Sequence, residues 1–471
     1  MTSYITGPLA RGGDLIKSTL GGVSWGPALS VSKSAVTSLF SRIEKGTLVI
    51  KDRTTGQTKI YGRKVSRDHS KLTNGVKGNS KKSGGAGTVE VVVHKEAFWV
   101  RLFLFADMGF AESYMLGEFE CDDLTGFFQL FILNRNQLAN ATTLTSSIAS
   151  TITGLARSTN TLSNSLLNVS AHYDISNEMF AAFLSEDMTY SCPIWKAPSS
   201  ADEEEESLEA AQMTKLHRFI DGAHIKSTDH VLEIGTGWGS FAIEAVKKTG
   251  CRVTSLTLSI EQKDLAEKRI SAAGFDDKIE VKLMDYRALP IPRVPFDKVV
   301  SIEMLEAVGK EYLETYFSCI HRLLKKDGIA VFQCITMPEG RYEAYAKGED
   351  FIRKYIFPGG HLPSITQLVD NITKGSEGTL VVERIENIGG HYAKTLRSWK
   401  EKFMVNFESR IRPALMIEHP EMGDREVEVF AKKWEYYFCY CEAGFATKTL
   451  GDVIITVGRE GAMELMEGIP L

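Results

Sequence analysis

The sequence has no uninterrupted apolar run of the length that a transmembrane helix needs, about 20 residues. It also has no basic excess, because the formal net charge is -5 and the isoelectric point is near 6.1. A nucleic-acid-binding protein normally carries a surplus of basic side chains, so we expect no nucleic-acid partner. The first forty residues lack the apolar stretch of a secretory signal, and their few arginines indicate a mitochondrial leader only weakly.

Cysteine is scarce and irregularly spaced. The seven cysteines are an odd-numbered set without the paired spacing of a zinc site, and Cys439 and Cys441 lie too close together for a CxxC arrangement. The odd number and irregular spacing of the cysteines argue against a disulfide framework and against a metal site. We therefore expect no metal ion and a reducing, cytoplasmic compartment.

Composition divides the 471 residues into consecutive parts. Residues 1–40 are rich in Ser and Gly and are predicted to form a flexible extension. Residues 41–138 show the patterns of a small α+β domain, interrupted at 67–87 by a polar, lysine-rich insertion that we expect to be disordered. Apolar residues at helical spacing in 139–170 indicate a linker helix that lies on an apolar surface or against a membrane. Residues 171–471 are predicted to form the larger domain.

The most informative stretch runs from His230 to Gly250, HVLEIGTGWGSFAIEAVKKTG. A short apolar run stops at Gly235, further glycines follow at 237 and 239, and an amphipathic helical pattern begins directly afterwards. Alternate glycines allow a ligand to approach the backbone closely, and the first N–H groups of the helix face the same space. Taken alone, the glycines are also compatible with an ordinary tight turn between a strand and a helix.

The surroundings of this turn predict the fold. Apolar runs at 252–258, 279–283, 296–302 and 329–335 alternate with helical patterns. This alternation predicts an α/β protein with a doubly wound, mostly parallel sheet. Because ligands bind such sheets beyond the carboxyl ends of the strands, the polar clusters that follow the first four strands are candidate binding residues.

The glycine spacing matches neither the GxGxxG dinucleotide fingerprint nor a phosphate loop. The pattern E-x-G-x-G-x-G, followed by a second strand and a polar turn, resembles motif one of class I S-adenosylmethionine-dependent methyltransferases, whose fold is Rossmann-like. Many of those enzymes place an acid at the end of the second strand, where this chain has Thr257-Leu258-Ser259. The resemblance implies S-adenosylmethionine as the cofactor and a site made of Glu233, Gly235, Gly237, Gly239, Thr257, Leu258, Gln262, Asp285, Tyr286 and Arg287.

Further motifs narrow this resemblance. The segments HYDISNEMF, MTYSC, VTSLTLSIEQ, SIEMLEAVG, FIRKYIFPGGHLPS, HYAKTLRSWKEKF and WEYYFCYCEAGF occur in an order that is similar to cyclopropane-fatty-acyl-phospholipid synthases, from about residue 45 to 459. The insertion and the long linker suggest a eukaryotic-like variant. Tyr190 and Ser191 would then touch the cofactor, and Phe351, Tyr355 and Phe357 would line an acyl channel.

The resemblance implies methylene transfer from S-adenosylmethionine to the cis double bond of unsaturated phospholipid acyl chains. It also implies peripheral membrane contact through the N-terminal domain and the linker. Whether the protein forms a homodimer is left open. Attack by the double bond on the methyl group leaves a carbocation. The cavity must therefore exclude water, offer aromatic faces and hold a base that takes a proton as the ring closes.

In that family the base is a bound bicarbonate. Carried over to this sequence, its site would consist of Cys192, Glu306, the backbone of Ile335, and Tyr392. Gln333 stands where bacterial relatives have a histidine. A glutamine amide can donate a hydrogen bond to an anion, but it cannot take up a proton.

Other functions remain open at this point. What quenches the cation decides the product, so C-methylation of another lipid olefin or of a sphingoid base is an alternative, as is N-methylation of a small molecule. A lipid-binding module with an inactive cofactor site is a second class of alternative. Cys192 as a small buried residue and Tyr392 as a core phenol are the plain structural interpretations of those two positions.

Overall fold

The computed structural model describes residues 25–62, 87–139, 176–197 and 205–470. Predictions for 1–24, 67–86 and 140–175 lie outside the described residues. The chain forms two compact units, Met1–Asp174 with His419–Ala443, and Ile175–Glu418 with Gly444–Leu471.

The first unit contains a four-stranded sheet in the order β2-β1-β3-β4, in which β1 and β3 are parallel. Its aromatic core includes Phe110, whose ring stacks on Phe127 at a centroid distance of 4.3 Å. Numbered along the whole chain, its elements are α1 (Trp25–Phe40), β1 (Thr47–Asp52), β2 (Gln57–Gly62), β3 (Thr88–Val93), α2 (Ala97–Met115), β4 (Phe119–Cys121), α3 (Leu124–Leu133), α4 (Arg135–Ala139) and most of α15 (Asp424–Ala446).

Two predictions for this part differ from the structure. Residues 25–40 were predicted as part of the flexible extension, but they form α1, because Ser32, Val36 and Phe40 recur at helical spacing and are buried. The large domain was predicted to be continuous over 171–471, but 419–443 belong to the first unit. The reason is aromatic packing within that unit, since the rings of Tyr436 in α15 and Phe128 form a T-shaped pair with centroids 5.1 Å apart.

The second unit contains a seven-stranded sheet in the order β10-β11-β9-β8-β5-β6-β7. The five predicted strands are present and pair in parallel, which confirms the doubly wound, mostly parallel α/β fold. Two antiparallel strands extend the sheet at the β9 side. The strands are β5 (His230–Ile234), β6 (Arg252–Thr257), β7 (Ile279–Leu283), β8 (Phe296–Ile302), β9 (Leu324–Thr336), β10 (Leu380–Asn387) and β11 (Gly451–Arg459).

Helices connect these strands and cover the sheet. Leu313, Tyr316, Phe317 and Ile320 of one such helix, α9, are fully buried in the core cluster of the unit. The helices are α5 (Asn177–Phe183), α6 (Leu208–Gly222), α7 (Ser240–Thr249), α8 (Ile260–Ala273), α9 (Leu313–Leu323), α10 (Glu339–Lys347), α11 (Phe351–Tyr355), α12 (Ile365–Gly375), α13 (Gly389–Asn406) and α14 (Arg412–Glu418), the last two joined by a π-helical turn at Phe407–Ile411.

Within the described ranges no helix combines the length and the apolar character that crossing a membrane requires.

Candidate active site

The glycine turn joins β5 to α7, and all three of its glycines have positive φ. Gly239 has φ 89°, and a β-carbon there would lie 3.2 Å from the β-carbon of Ala266. A side chain at Gly237 would meet no atom within 4 Å, so the space in front of the turn is open. Left-handed conformation and close packing together require glycine here, and they leave room for a ligand against the backbone.

Polar side chains follow the neighbouring strands at the same edge of the sheet. After β6, the Thr257 hydroxyl donates to the Gln262 side-chain oxygen at 2.7 Å, and Leu258 is largely exposed. After β7, the Asp285 carboxylate accepts from the Arg287 guanidinium at 2.6 Å, which lowers the pKa of Asp285. Hydroxyl, amide and carboxylate groups around an open glycine turn fit an adenosine-type cofactor.

Glu233 was predicted to bind the cofactor, and the structure places it within the sheet. Its side chain is 3% exposed and accepts a hydrogen bond from the Ser255 hydroxyl of β6 at 2.5 Å. Burial raises the pKa of Glu233 to about 8. Because the carboxyl already has a partner in the sheet, direct contact with the cofactor stays a prediction.

Glu303 is the centre of the site, and it directly follows β8. Its carboxylate accepts from the Cys192 backbone N–H and from the Gln333 amide, both at 2.7 Å on one oxygen. The other oxygen accepts from the Tyr392 hydroxyl at 2.7 Å. The backbone of Glu303 is left-handed, with φ 48°, a conformation that costs energy for a residue with a side chain. Such strain is typical of functional positions.

Burial raises the pKa of the Glu303 carboxyl, while the hydrogen bonds from Cys192 and Tyr392 and the charge of Lys215 act in the opposite direction. Lys215 itself is 0% exposed, and burial lowers its pKa. Its ammonium group donates to the Ser191 hydroxyl at 2.7 Å. A buried cation therefore accompanies the carboxyl groups of the site and partly balances their charge.

Asp452 brings a further carboxyl group to Glu303. It lies on β11 opposite Ile335 of β9 and is fully buried. The Gln333 amide donates to Asp452 at 2.7 Å as well as to Glu303, so this one side chain links two carboxyl groups. Burial raises the pKa of Asp452 well above its usual value, and the charge of Glu303 adds to that shift. We infer that Asp452 holds the proton of this pair.

Glu306 lies one turn after Glu303, in the short 3-10 helix Leu305–Ala307. One of its carboxyl oxygens accepts from the backbone N–H of Ile335 at 2.5 Å. The other is covered and has no hydrogen-bond partner among the described residues. Burial, followed by repulsion from Glu303, raises the pKa of Glu306 to about 8.

The five residues predicted for the bicarbonate site therefore do come together, around a residue for which no role was predicted. Sequence reasoning assigned no role to Glu303, which stands three residues before Glu306, and it missed Asp452 and Lys215. Asp452 does have a weak sequence signal, since it is the single acid in the apolar run DVIITV. Lys215 has a similar weak signal, since it stands on the apolar face of α6 together with Ala211 and Phe219.

Aromatic rings surround the approach to this cluster. The ring centroid of Tyr190 lies 5.1 Å from that of Trp399 and 6.3 Å from that of Phe357. Phe357 is 41% exposed. The ring of Tyr392 stacks on Phe445 at 4.6 Å. Phe351 and Tyr355, predicted for the acyl channel, are buried and pack on each other at 5.5 Å. Rings in this number can stabilise a cation that develops between them.

A family model described as mycolic acid cyclopropane synthetase matches residues 160–454. The chain is 38% identical to the tuberculostearic acid methyltransferase UfaA1 of Mycobacterium tuberculosis over 75% of its own length and 79% of that protein. It is 32% identical to the cyclopropane-fatty-acyl-phospholipid synthase of Escherichia coli, over 81% of its own length and 91% of that protein.

The chain belongs to the mycolic acid cyclopropane synthetase family. A solved structure of mycolic acid cyclopropane synthase CmaA1, complexed with SAH and CTAB, superposes on it with a TM-score of 0.51 and 27% identity, covering 62% of this chain and 98% of that one. As a member of this family, the protein is an S-adenosylmethionine-dependent methyltransferase. The open glycine turn is the feature of this chain that fits the cofactor.

The same residues do not fit bicarbonate. An anion needs hydrogen-bond donors, and the predicted donors are already used: Cys192 N–H, the Gln333 amide and the Tyr392 hydroxyl donate to Glu303, and Ile335 N–H donates to Glu306. The buried atoms of this cluster that lack a partner among the described residues are oxygens of Glu306, Gln333 and Asp452. The donors predicted for bicarbonate are therefore not available to a further anion, and that anion would lie beside the Glu303 carboxylate.

Proposed function

We propose that this enzyme adds a methylene group across the cis double bond of unsaturated phospholipid acyl chains and so forms a cyclopropane ring. The observation that carries the proposal is a carboxylate, Glu303, at the end of β8, beside an open glycine turn and among aromatic rings. The name of the E. coli relative, a cyclopropane-fatty-acyl-phospholipid synthase, supports the same substrate class.

The site adjoins the glycine turn through the residue that follows Glu303. A β-carbon built on Gly235 would lie 3.4 Å from the side chain of Met304. Bound S-adenosylmethionine supplies a methyl group that is electrophilic because it is attached to a sulfonium. The protein's part is to hold the double bond against that methyl group, to exclude water, and to accept a proton.

Aromatic faces suit the cationic stage of this reaction. When the π electrons of the acyl double bond form a bond to the methyl carbon, positive charge appears on the neighbouring acyl carbon. The rings of Tyr190, Trp399 and Phe357 provide π density without a nucleophile that would trap the cation. We propose that acyl chains reach them from a membrane surface to which the protein binds peripherally.

A methyl branch is the second candidate product. The relative UfaA1, at 38% identity, is named a tuberculostearic acid methyltransferase, which favours this candidate. Both products share the methyl transfer and the cation. They differ in the carbon that loses the proton: loss from the new methyl group closes the ring, whereas loss from a neighbouring chain carbon leaves a methyl-branched olefin.

The test is mass spectrometry of fatty acids from a host without cyclopropane lipids, with and without this chain. A gain of one CH2 together with loss of the double bond supports the cyclopropane product. A gain of one CH2 with an olefin retained, which hydrogenation would reveal, supports the branched product. A Glu303→Gln variant, which lacks the carboxylate that carries this proposal, serves as the inactive comparison. Unchanged lipids, from a protein that binds S-adenosylhomocysteine in calorimetry, would refute both candidates.

A further inference from the structure

We propose that the base of this enzyme is part of its own chain: the Glu303 carboxylate takes the position predicted for bicarbonate and accepts the proton released from the substrate. This inference rests on the proposed function, which supplies the proton. It departs from that function's predicted mechanism, since it makes the reaction independent of bicarbonate.

The hydrogen-bond donors around Glu303 are arranged as they would be around a bound anion. Three donors from separate parts of the unit meet on Glu303: the backbone N–H of Cys192 before α6, the amide of Gln333 on β9 and the hydroxyl of Tyr392 on α13. All three residues belong to the set predicted for the bicarbonate site. A carboxylate and a bicarbonate present the same pair of anionic oxygens, so one can replace the other.

The donors also indicate where the negative charge lies. Glu303 accepts hydrogen bonds on both of its oxygens, whereas one oxygen of Asp452 and one of Glu306 have no partner among the described residues. Donors stabilise the ionised form of an acid, and like charges nearby disfavour a second ionisation. The anion of the cluster therefore lies on Glu303, and its neighbours hold protons.

Glu303 differs from Asp452 in exposure. Gln333 and Asp452 are 0% exposed, whereas Glu303 and Glu306 are partly exposed as whole residues. The left-handed backbone of Glu303, with φ 48°, turns its side chain into the donors instead of continuing β8. Of the two carboxyl-bearing residues that share the Gln333 amide, Glu303 is therefore the one that a substrate can approach and that can return a proton to water after the product leaves.

The reaction that Glu303 would serve consists of methyl transfer followed by proton loss. The π electrons of the double bond form the new carbon–carbon bond to the methyl group as the carbon–sulfur bond breaks, and S-adenosylhomocysteine leaves. A C–H bond of the former methyl group then breaks, its electrons close the ring on the cationic carbon, and the proton goes to a Glu303 oxygen. Loss of that proton to water restores the carboxylate.

The first experiment uses the unaltered enzyme with vesicles of a cis-monounsaturated phosphatidylglycerol. Rates are compared in buffer stripped of carbon dioxide and in the same buffer with millimolar bicarbonate. We expect the two rates to agree within about twofold. A rate that falls about tenfold on stripping, and returns with bicarbonate, would overturn the proposal.

The second experiment compares two substitutions. In Glu303→Gln a neutral amide fills the same space, and in Glu303→Ala the space is empty. We expect both to lower the rate by about 100-fold or more, as removal of a general base does. Bicarbonate or formate should raise the rate of Glu303→Ala about tenfold and leave Glu303→Gln unchanged. Full activity of Glu303→Gln would overturn the proposal.

The third experiment does not depend on turnover. Nuclear magnetic resonance of 13C-labelled bicarbonate should show line broadening with Glu303→Ala and none with the unaltered enzyme or Glu303→Gln. Broadening with the unaltered enzyme would overturn the proposal. Calorimetry with S-adenosylhomocysteine checks that each variant keeps its cofactor site. If Glu303→Ala does not bind S-adenosylhomocysteine, the presence or absence of line broadening with the unaltered enzyme decides the test. If no lipid is modified under any condition, the proposed function is refuted. The bicarbonate-binding measurement remains valid in that case, because it does not need turnover.

Discussion

Lys215 and Ser191 form a hydrogen bond of 2.7 Å where solvent does not reach, with exposed fractions of 0% and 3%. The residue after Ser191 is Cys192, whose backbone N–H donates to Glu303. Lys215 thus has two roles, because it holds the segment that supplies a donor and provides the positive charge that favours an ionised Glu303. The Lys215 ammonium group therefore affects both the position of the segment Ser191-Cys192 and the pKa of Glu303.

Replacement of Lys215 should therefore change the pH dependence of the reaction. In Lys215→Met the charge that lowers the pKa of Glu303 is absent, so that pKa rises and the acidic limb of the pH–rate profile moves to higher pH. We also expect the rate at neutral pH to fall about tenfold. Lys347→Met is the matched control, since Lys347 is 78% exposed. An unshifted acidic limb in Lys215→Met would contradict this account.

Tyr392→Phe removes one hydrogen bond to Glu303 and keeps the ring that stacks on Phe445. We expect the rate to fall about 10- to 100-fold, because a donor to a catalytic anion is lost. The free energy of unfolding should fall by only about 1 kcal/mol. Steady-state kinetics and urea unfolding measure the two effects. In the control Tyr312→Phe, whose ring is 52% exposed, neither quantity should change.

Gly239→Ala tests the cofactor turn. The residue has φ 89°, and its new β-carbon would lie 3.2 Å from that of Ala266. We expect the dissociation constant for S-adenosylhomocysteine, measured by calorimetry, to rise about tenfold or more, because the turn must shift. Gly340→Ala is the control, since a β-carbon there meets no atom within 4 Å and its φ is ordinary. Equal binding by the two variants would argue against a cofactor at this turn.

The fold could be predicted from the sequence because it depends on local patterns, and apolar runs indicated the positions of β5 to β9. The site residues Cys192, Glu306 and Tyr392 were predicted from the resemblance of their motifs to a known family. The roles of Lys215 and Asp452 could not be predicted in either way. A lysine on the apolar face of α6 and an acid in an apolar run are weak signals, and both residues gain their partners only through tertiary packing.

The helix α1 illustrates the same limit in the first unit. Its sequence is rich in Ser and small residues, and only three of its sixteen positions are buried. A pattern so weak does not distinguish a packed helix from an extension. The packing surface that decides the matter lies on α2, which the sequence places about 60 residues further along the chain.

Glu233 should make stability depend on pH. Its pKa is about 8 in the folded state, raised from an ordinary value of 4.5. Between these values the unfolded chain loses a proton that the folded protein keeps, so the free energy of unfolding decreases as pH rises through that range. Glu233→Gln mimics the protonated form and should weaken the decrease.

Urea unfolding at pH 5 and pH 8 checks this prediction. The difference in unfolding free energy between the two pH values should be smaller in Glu233→Gln than in the unaltered protein, by a few kcal/mol at most. The exposed Glu343→Gln, at 81% exposure, should leave the difference as it is. The same pH dependence in all three proteins would mean that Glu233 is ionised in the folded state.

Asp452 lies on β11, which pairs between β9 and β10 and is the last strand of the sheet along the chain. During synthesis, β5 to β9 leave the ribosome well before residue 452 is added. The glycine turn can therefore form on a growing chain, but the carboxyl cluster cannot. A translation product that ends before β11 would contain the glycine turn without Asp452, so the acid–base cluster is completed only after β11 has been translated.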